Sequence, residues 1–322
     1  MTAYKEIQGI SVQTVAGDPP APLTGQIWYN SSTGTFRVNK TAEVGSWSTG
    51  NNVNTAIVWT TILGTQTSAL KAGGGTPGAF SDVTESYNGT NWTTVNSMNT
   101  ARGRLGGAGA SNTNGLVFGG YPGTPPYTAD TELWNGTNWT EVNNLNTGRA
   151  QLGSAGTSNT AALAFQGEAP PNSNATEEWN GTNWTTVSST NNATRSVAGS
   201  GTQTSAISSG GNPSTTNSEI YNGSSWTAIT PMNTARVEAG GIGISNTSAL
   251  VFGNRPDQAI TEHWNGTAWS EVNDLNTGRS LCDGTGSFSF GLAASGGNPG
   301  AISATEEWTT APTPVTETIT EV

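Results

Sequence analysis

Metal and redox chemistry draw on clusters of imidazole and thiolate ligands, and this chain has one histidine, His263, and one cysteine, Cys282. A zinc site cannot be assembled from that set, and no internal disulfide can form. The carboxylates offer more. Glycoside hydrolysis needs two of them facing each other across a pocket. Here Glu85, Glu132, Glu177, Glu219, Glu262 and Glu306 each stand at the same place in a repeating segment. A residue present in every copy serves the repeat rather than one catalytic centre. The arginines behave alike: Arg102, Arg149, Arg236 and Arg279 come ten residues after a tryptophan, and Arg195 eleven after one. Both sets are costly to bury alone, so they are expected to meet as ion pairs within or between neighbouring repeats, or to cap backbone carbonyls. Ile57 stands at an arginine position, so its repeat should lack the pair. The unrepeated acids Asp130, Glu168 and Asp257 form no motif. The expectation is no catalytic residue, no metal and no cofactor.

The elements that carry these residues follow from the aromatic spacing. Trp47, Trp92, Trp139, Trp184, Trp226 and Trp269 are separated by 45, 47, 45, 42 and 43 residues. Five residues before each of the last five stands a second aromatic: Tyr87, Trp134, Trp179, Tyr221 and Trp264; Trp308 continues that series. Between the two lies Asn-Gly, which predicts a type I′ hairpin turn at Asn88-Gly89, Asn135-Gly136, Asn180-Gly181, Asn222-Gly223 and Asn265-Gly266. A small-residue strand such as GGAGA follows each arginine, then a polar turn, then an apolar strand ending in glycine, such as LVFGG at Leu116–Gly120. Four short strands, a to d, in about 44 residues is the period of a propeller blade. Strand a, rich in Gly and Ala, suits the crowded centre of a ring, and the aromatics of c and d suit the packing between blades.

Complete c–d hairpins number five. Residues 281–308 supply a sixth a, b and c but no Trp strand, and the segment around Trp47 supplies a Trp strand with no partner. Pairing them predicts an all-β, six-bladed β-propeller closed by an N-terminal strand, with both open sheet edges removed. Residues 1–42 read as an N-terminal arm with a β-hairpin at Gly25–Val38 around Ser31–Gly34, preceded by a stiff spacer at Asp18–Pro22. Residues 43–309 form the propeller, and residues 310–322 a tail that either adds an edge strand or hangs free.

Composition narrows the partners. Charged residues make up 10% of the chain, against about 25% in ordinary soluble domains; twelve tryptophans, most of them at regular spacing, argue that this polar composition is nevertheless folded. A net charge of −11 disfavours nucleic acid and anionic membrane. No stretch is apolar enough to insert in a membrane, and Met1–Ile10 lacks a signal-peptide core. The Asn-x-Ser/Thr matches at Asn88, Asn91, Asn135 and Asn138 read as turn chemistry.

The Gly-Gly ending strand b, the aromatic on c, the Trp five residues on and the Arg opening the next unit resemble the kelch repeat over residues 44–308. Gly167 and Gly253 each lack one glycine of the doublet. The resemblance implies a kelch-type β-propeller and no particular chemistry. A copper oxidase on this fold would need paired histidines and a Cys-modified Tyr, which His263 and Cys282 cannot supply. The arm segment GQIWYNSSTGTFRVNK with the phrases GSWSTGNNVNTA and TEEWNGTNW resembles propeller structural proteins of marine, cyanobacterial tailed phages. That resemblance implies a virion structural protein located in the virion: an appendage or surface module such as a tail fibre or a capsid- or neck-attached protein. It would be anchored to other virion proteins through residues 1–42, with the propeller outward for host recognition. The alternatives are a carbohydrate-binding receptor module and, further off, a glycan-active enzyme. The a–b and c–d turns are nearly uniform, whereas the b–c loops vary. Any host-surface glycan or protein is therefore expected on the b–c face, with Tyr121, Tyr127, Glu168, Arg255 and Asp257 as candidate binding residues.

Overall fold

A computed structural model describes residues 12–319. It separates into two compact units, one from residues 12–44 and 310–319 and one from residues 45–309. The second unit is an all-β propeller. Five four-stranded antiparallel sheets follow one another along the chain. Blade one is Thr61–Thr65, Ser68–Ala72, Thr84–Tyr87 and Trp92–Val95; blade two is Gly106–Ser111, Asn114–Phe118, Thr131–Trp134 and Trp139–Val142. Blade three is Gly153–Ser158, Ala161–Phe165, Thr176–Trp179 and Trp184–Val187; blade four is Ala198–Thr202, Ser205–Ser209, Ser218–Tyr221 and Trp226–Ala228. Blade five is Gly240–Ser245, Ser248–Asn254, Gln258–Trp264 and Trp269–Val272. Regular blades thus number five, one fewer than the aromatic spacing predicts. The remaining strands, Asp283–Gly286 and Phe290–Ala294, belong to a six-stranded sheet with Thr305–Thr318, Thr35–Gly50, Ile27–Asn30 and Gln13–Val15, in that order. The difference arises because the two strands at the chain ends, of 14 and 16 residues, run on well past blade length.

Burial explains the spacing. Both aromatics of each hairpin are buried, and, except at Trp269, the indole of the second reaches across to another sheet: Trp139 Nε1 donates to Thr84 Oγ1 at 3.0 Å, Trp184 to Thr131 at 3.1 Å and Trp226 to Thr176 at 3.0 Å. Trp92 makes the same bond to Thr305 at 3.1 Å and Trp47 to Thr261 at 3.2 Å. Trp47 packs edge-on against Phe252 and Trp308, with centroids 5.2 and 5.4 Å away. Strand Asp283–Gly286 packs against the first strands of both blade five and blade one.

The hairpin turns differ from the two-residue type I′ prediction. Tyr87 pairs with Trp92, leaving four loop residues, and of the Asn-Gly pair only Gly89 takes a positive φ, +87°. The Asn88 side chain instead accepts backbone N–H bonds from Thr90 and Asn91, an Asx turn that satisfies the loop internally.

In the first unit, Ile27–Asn30 pairs antiparallel with the start of Thr35–Gly50 around the expected Ser31–Gly34 turn. Asp18–Pro22 is not a free spacer: Asp18 accepts hydrogen bonds from Trp28 Nε1 and Asn30 Nδ2 and lies 3.3 Å from the Arg37 guanidinium. These donors hold the Asp18 carboxyl below its ordinary pKa, Asn30 foremost. Of the C-terminal tail, residues through Thr318 continue the strand that begins at Thr305, and Glu317 pairs with Lys40. Residues 1–11 and 320–322 of the predicted arm and tail lie outside the described residues.

The repeated charges meet as expected in four places. Arg102 pairs with Glu132, Arg149 with Glu177 at 3.1 Å, Arg236 with Glu262 at 2.9 Å and Arg279 with Glu306, all buried. Two expectations fail. The sheet preceded by Ile57 does not lack a pair: Lys71, on the second strand of blade one, reaches Glu85 at 2.7 Å with both side chains fully buried. Arg195 does not reach a repeated glutamate. Thr194 occupies the position of the other arginines, and Arg195, one residue on, pairs with Glu168 at 3.3 Å. Every repeated glutamate also accepts the backbone N–H of an asparagine in the preceding loop, Asn54, Asn99, Asn146, Asn191, Asn233 or Asn276.

Candidate binding face

Two residues beyond each arginine position, the chain adopts the left-handed conformation at a residue other than glycine. Trp59, Arg104, Gln151, Ser196, Glu238 and Leu281 have φ between 52° and 61°. Their backbones form a belt: Arg104 N–H donates to Trp59 C=O, Gln151 to Arg104, Ser196 to Gln151, Glu238 to Ser196, Leu281 to Glu238, and Trp59 back to Leu281, over 2.8–3.3 Å. The left-handed region costs a non-glycine residue about 1–2 kcal/mol, and glycine would remove that cost at every position. The chain instead holds six different side chains in one backbone geometry.

These side chains line a small cavity of mixed character, about 100 Å³, at one mouth of the propeller's centre, with Thr60, Leu105, Leu152, Val197, Cys282 and Asp283. Trp59 Nε1, Thr60 Oγ1, Arg104 Nε and Gln151 Oε1 are buried there without a protein hydrogen-bond partner, an unusual concentration. The Arg104 guanidinium lies over the Trp59 ring, 4.5 Å from its centroid, and 5.9 Å from that of Tyr121. Sequence reasoning missed the belt because its residue types differ at every copy; the fixed offset from the arginine position was the available signal.

The predicted binding residues lie around this belt. Tyr121 stands edge-on between Phe80 and Tyr127, with centroids 5.2 and 5.4 Å away, and Phe80 continues to Trp59 at 6.0 Å. Burial first, and then the Glu168 carboxylate, push Tyr127 above its ordinary pKa. Glu168 pairs with Arg195 at 3.3 Å. Arg255 is largely exposed and pairs with the belt residue Glu238 at 3.3 Å. Asp257 accepts a bond from Ser280 Oγ at 2.7 Å. Arg255, Asp257, Trp59 and Glu238 share a groove of about 500 Å³ whose other walls include Pro77, Pro256 and Pro299. The structure thus gathers Tyr121, Tyr127 and Glu168 into one cluster and Arg255 and Asp257 into another, joined through Trp59 and Glu238. The opposite mouth is wider, about 820 Å³, but is lined by Gly, Thr, Ala, Gln66, Ile244, Ser287 and Phe290, with no ionisable side chain.

His263 packs flat on Phe288 at 3.7 Å, and burial lowers its pKa to about 4. Burial raises the Cys282 thiol to about 12. Among the described residues no three His, Cys, Asp or Glu side chains cluster to hold a metal, and no helix is long and apolar enough to cross a membrane.

Asp283 opens the strand Asp283–Gly286 and lines the cavity. Burial raises its pKa to about 6, against the bonds it accepts from Ile62 N–H, Thr61 Oγ1 and Gly284 N–H. A folded-state pKa above the unfolded value means that the folded chain binds this proton more tightly. Its contribution is therefore complete below about pH 4 and lost as pH rises through about 6. Urea unfolding between pH 4 and 7 should show a decline on the order of 2 kcal/mol that Asp283→Asn removes. An unchanged pH slope in the variant would refute that coupling.

No family model matches the chain, and no curated protein matches it. Solved structures do. The structure of YjhT is similar with a TM-score of 0.65 at 12% identity, over 82% of this chain and 99% of that one. At that identity the likeness concerns the fold alone.

Proposed function

We propose that this chain is a non-enzymatic recognition module of a tailed-phage virion, which binds a host-surface glycan on the b–c face and is attached to other virion proteins through residues 1–42. The observation that carries the recognition reading is the belt. The strand aromatics, the glutamates and the hairpin turns recur from copy to copy, but Trp59, Arg104, Gln151, Ser196, Glu238 and Leu281 differ at a position where glycine would cost less. A scaffold that bears strain to hold diverse side chains at one mouth is using those side chains. Unpartnered buried donors and acceptors, an aromatic row from Trp59 to Tyr127 and flanking charged groups suit a polyhydroxylated ligand.

Attachment is supported by where apolar surface lies. Among the described residues eight large apolar side chains stand exposed, and six of them, Val12, Leu23, Ile27, Phe36, Val44 and Ile319, belong to the unit of the chain ends; such a concentration suits a protein interface. The virion setting rests on the phage-like sequence phrases. In this reading the mixed sheet is the sixth blade of a kelch-type ring, with Thr35–Gly50 as its closing strand. The six-membered belt and the place of Trp47 in the series of indole–threonine bonds support it.

Glycan-array binding of the purified chain tests the proposal. The wild type should retain glycans. Arg104→Ala and replacement of Pro122–Tyr127 by a Gly-Ser linker together with Arg255→Ala should each weaken retention tenfold or more, about 1.4 kcal/mol, with unchanged melting. No retained glycan, or retention untouched by both changes, overturns the glycan reading; release of cleaved saccharide overturns the non-enzymatic one.

A further inference from the structure

The charge pairs of the repeat define a guanidinium socket. In blade five, Arg236 donates to Gly253 C=O at 3.0 Å, to Ile260 C=O at 2.7 Å and to Glu262 Oε1 at 2.9 Å. Arg279 repeats this with Ser295 C=O at 3.1 Å, Ala304 C=O at 2.9 Å and Glu306. In these two sheets the socket is therefore one carboxylate oxygen and two backbone carbonyls, one at the end of the second strand and one two residues before the glutamate; Arg102 shares the first carbonyl, that of Gly119, and Arg149 donates instead to Ala164 C=O.

Blade four has the same acceptors in Gly210, Asn217 and Glu219, but no cation. Thr194 stands where the arginine would be; its C=O accepts the Gly167 N–H at 2.8 Å as Arg149 C=O accepts that of Gly120 at 2.9 Å. Ser208 stands where Lys71 enters blade one, opposite the glutamate in each sheet. The short side chains leave a cavity of about 190 Å³ lined by Thr194, Ser208, Gly210, Asn217 and Glu219. Glu219 is only 3% exposed. Its partners are neutral: Asn191 N–H at 2.8 Å and Nδ2 at 2.6 Å on one oxygen, and Asn192 Nδ2 at 3.1 Å on the other. Among the described residues no cationic nitrogen lies within 4.0 Å of it; Arg195 is engaged by Glu168. A buried carboxylate without a countercharge is costly. Exposed Asn192, Ala193 and Pro213 also line the cavity, and the Asn192 amide lies on the Glu219 carboxylate.

We propose that this pocket binds a guanidinium group supplied from outside the chain, seated on Glu219 with the Gly210 and Asn217 carbonyls beneath it. The planar, multi-donor guanidinium matches that fork of acceptors better than a compact ammonium does. The source is either a free small guanidinium compound or an arginine side chain of a partner protein.

Titration of the isotope-labelled full chain with methylguanidinium, followed by NMR, tests this. Saturable shifts are expected at the Asn191, Asn192 and Ser208 amides, with methylammonium at least tenfold weaker. Thr194→Arg should abolish the response by filling the pocket from within and should raise the melting temperature. Glu219→Gln should weaken binding at least tenfold. A Gly-Arg-Gly peptide that binds tenfold tighter than methylguanidinium identifies a partner's arginine, and equal binding identifies a free ion. No saturable shift by about 50 mM, or a response that Thr194→Arg leaves intact, overturns the proposal. Should either variant fail to fold, the wild-type preference for methylguanidinium over methylammonium decides.

Discussion

Lys71→Ala should destabilise the propeller by about 3–5 kcal/mol, the cost of removing one partner from a fully buried ion pair, and Ile57→Arg on that background should return most of the loss. Lys71 Nζ lies 2.7 Å from Glu85 Oε1 and donates also to Thr55 C=O at 3.1 Å. Desolvation alone pulls its pKa down, and only Glu85 opposes this. Without the ammonium, Glu85 keeps its backbone bonds from Asn54 and Thr55 at 2.7 and 3.0 Å but has no countercharge. Position 57 is where Arg102, Arg149, Arg236 and Arg279 start in the other sheets, and the guanidinium reaches its glutamate from there each time. The double variant therefore rebuilds the pair by the commoner route. Urea unfolding with calorimetry measures both steps; a loss below about 1 kcal/mol in Lys71→Ala, or no recovery in the double variant, would show that the cation is replaceable by solvent.

That exchange marks the limit of reading this chain as a sequence. The position of each glutamate and of the four arginines that meet one was legible, because both recur at a fixed register. The cation of blade one was not. Lys71 lies 14 residues before its partner on an antiparallel strand, whereas Arg102 lies 30 before its own; spacing along the chain does not encode which side chain crosses the sheet. The aromatic period likewise made the blades legible, since Trp and Tyr fill the wedge between sheets at every turn of the ring. The Asn-Gly turn was misjudged because the side chain of Asn88, not its backbone conformation, closes the loop. The belt was invisible for the opposite reason: periodicity marks what is copied, and Trp59, Arg104, Gln151, Ser196, Glu238 and Leu281 share only a backbone state. Of the candidate face, sequence variation singled out the b–c loops, but the residues joining its two clusters, Trp59 and Glu238, emerged only from the fold.

Trp47→Ala in the full chain should cost about 3–5 kcal/mol, more than its place near one end of the propeller unit suggests. The indole is only 6% exposed, fits against Phe252 and Trp308, and donates to Thr261. Its strand is held by backbone as well: Asn273 Nδ2 donates to Gly45 C=O at 2.7 Å and Asn276 Nδ2 to Trp47 C=O at 3.2 Å. Gly45 fits so closely that a Cβ there would lie 1.9 Å from Trp308 Cζ2, so Gly45→Ala should be destabilising as well. Removing the strand altogether, in a chain begun at Ala56, exposes Trp308 and Phe252 together with the edge of Thr305–Thr318, an invitation to edge-to-edge association. That truncation should lower the melting temperature by more than about 10 °C and promote aggregation. A chain begun at Glu43 keeps Gly45–Gly50 and should melt within a few degrees of the full chain. Equal melting of the two truncated chains would mean that Trp47 fills a surface groove, and that the propeller closes without it.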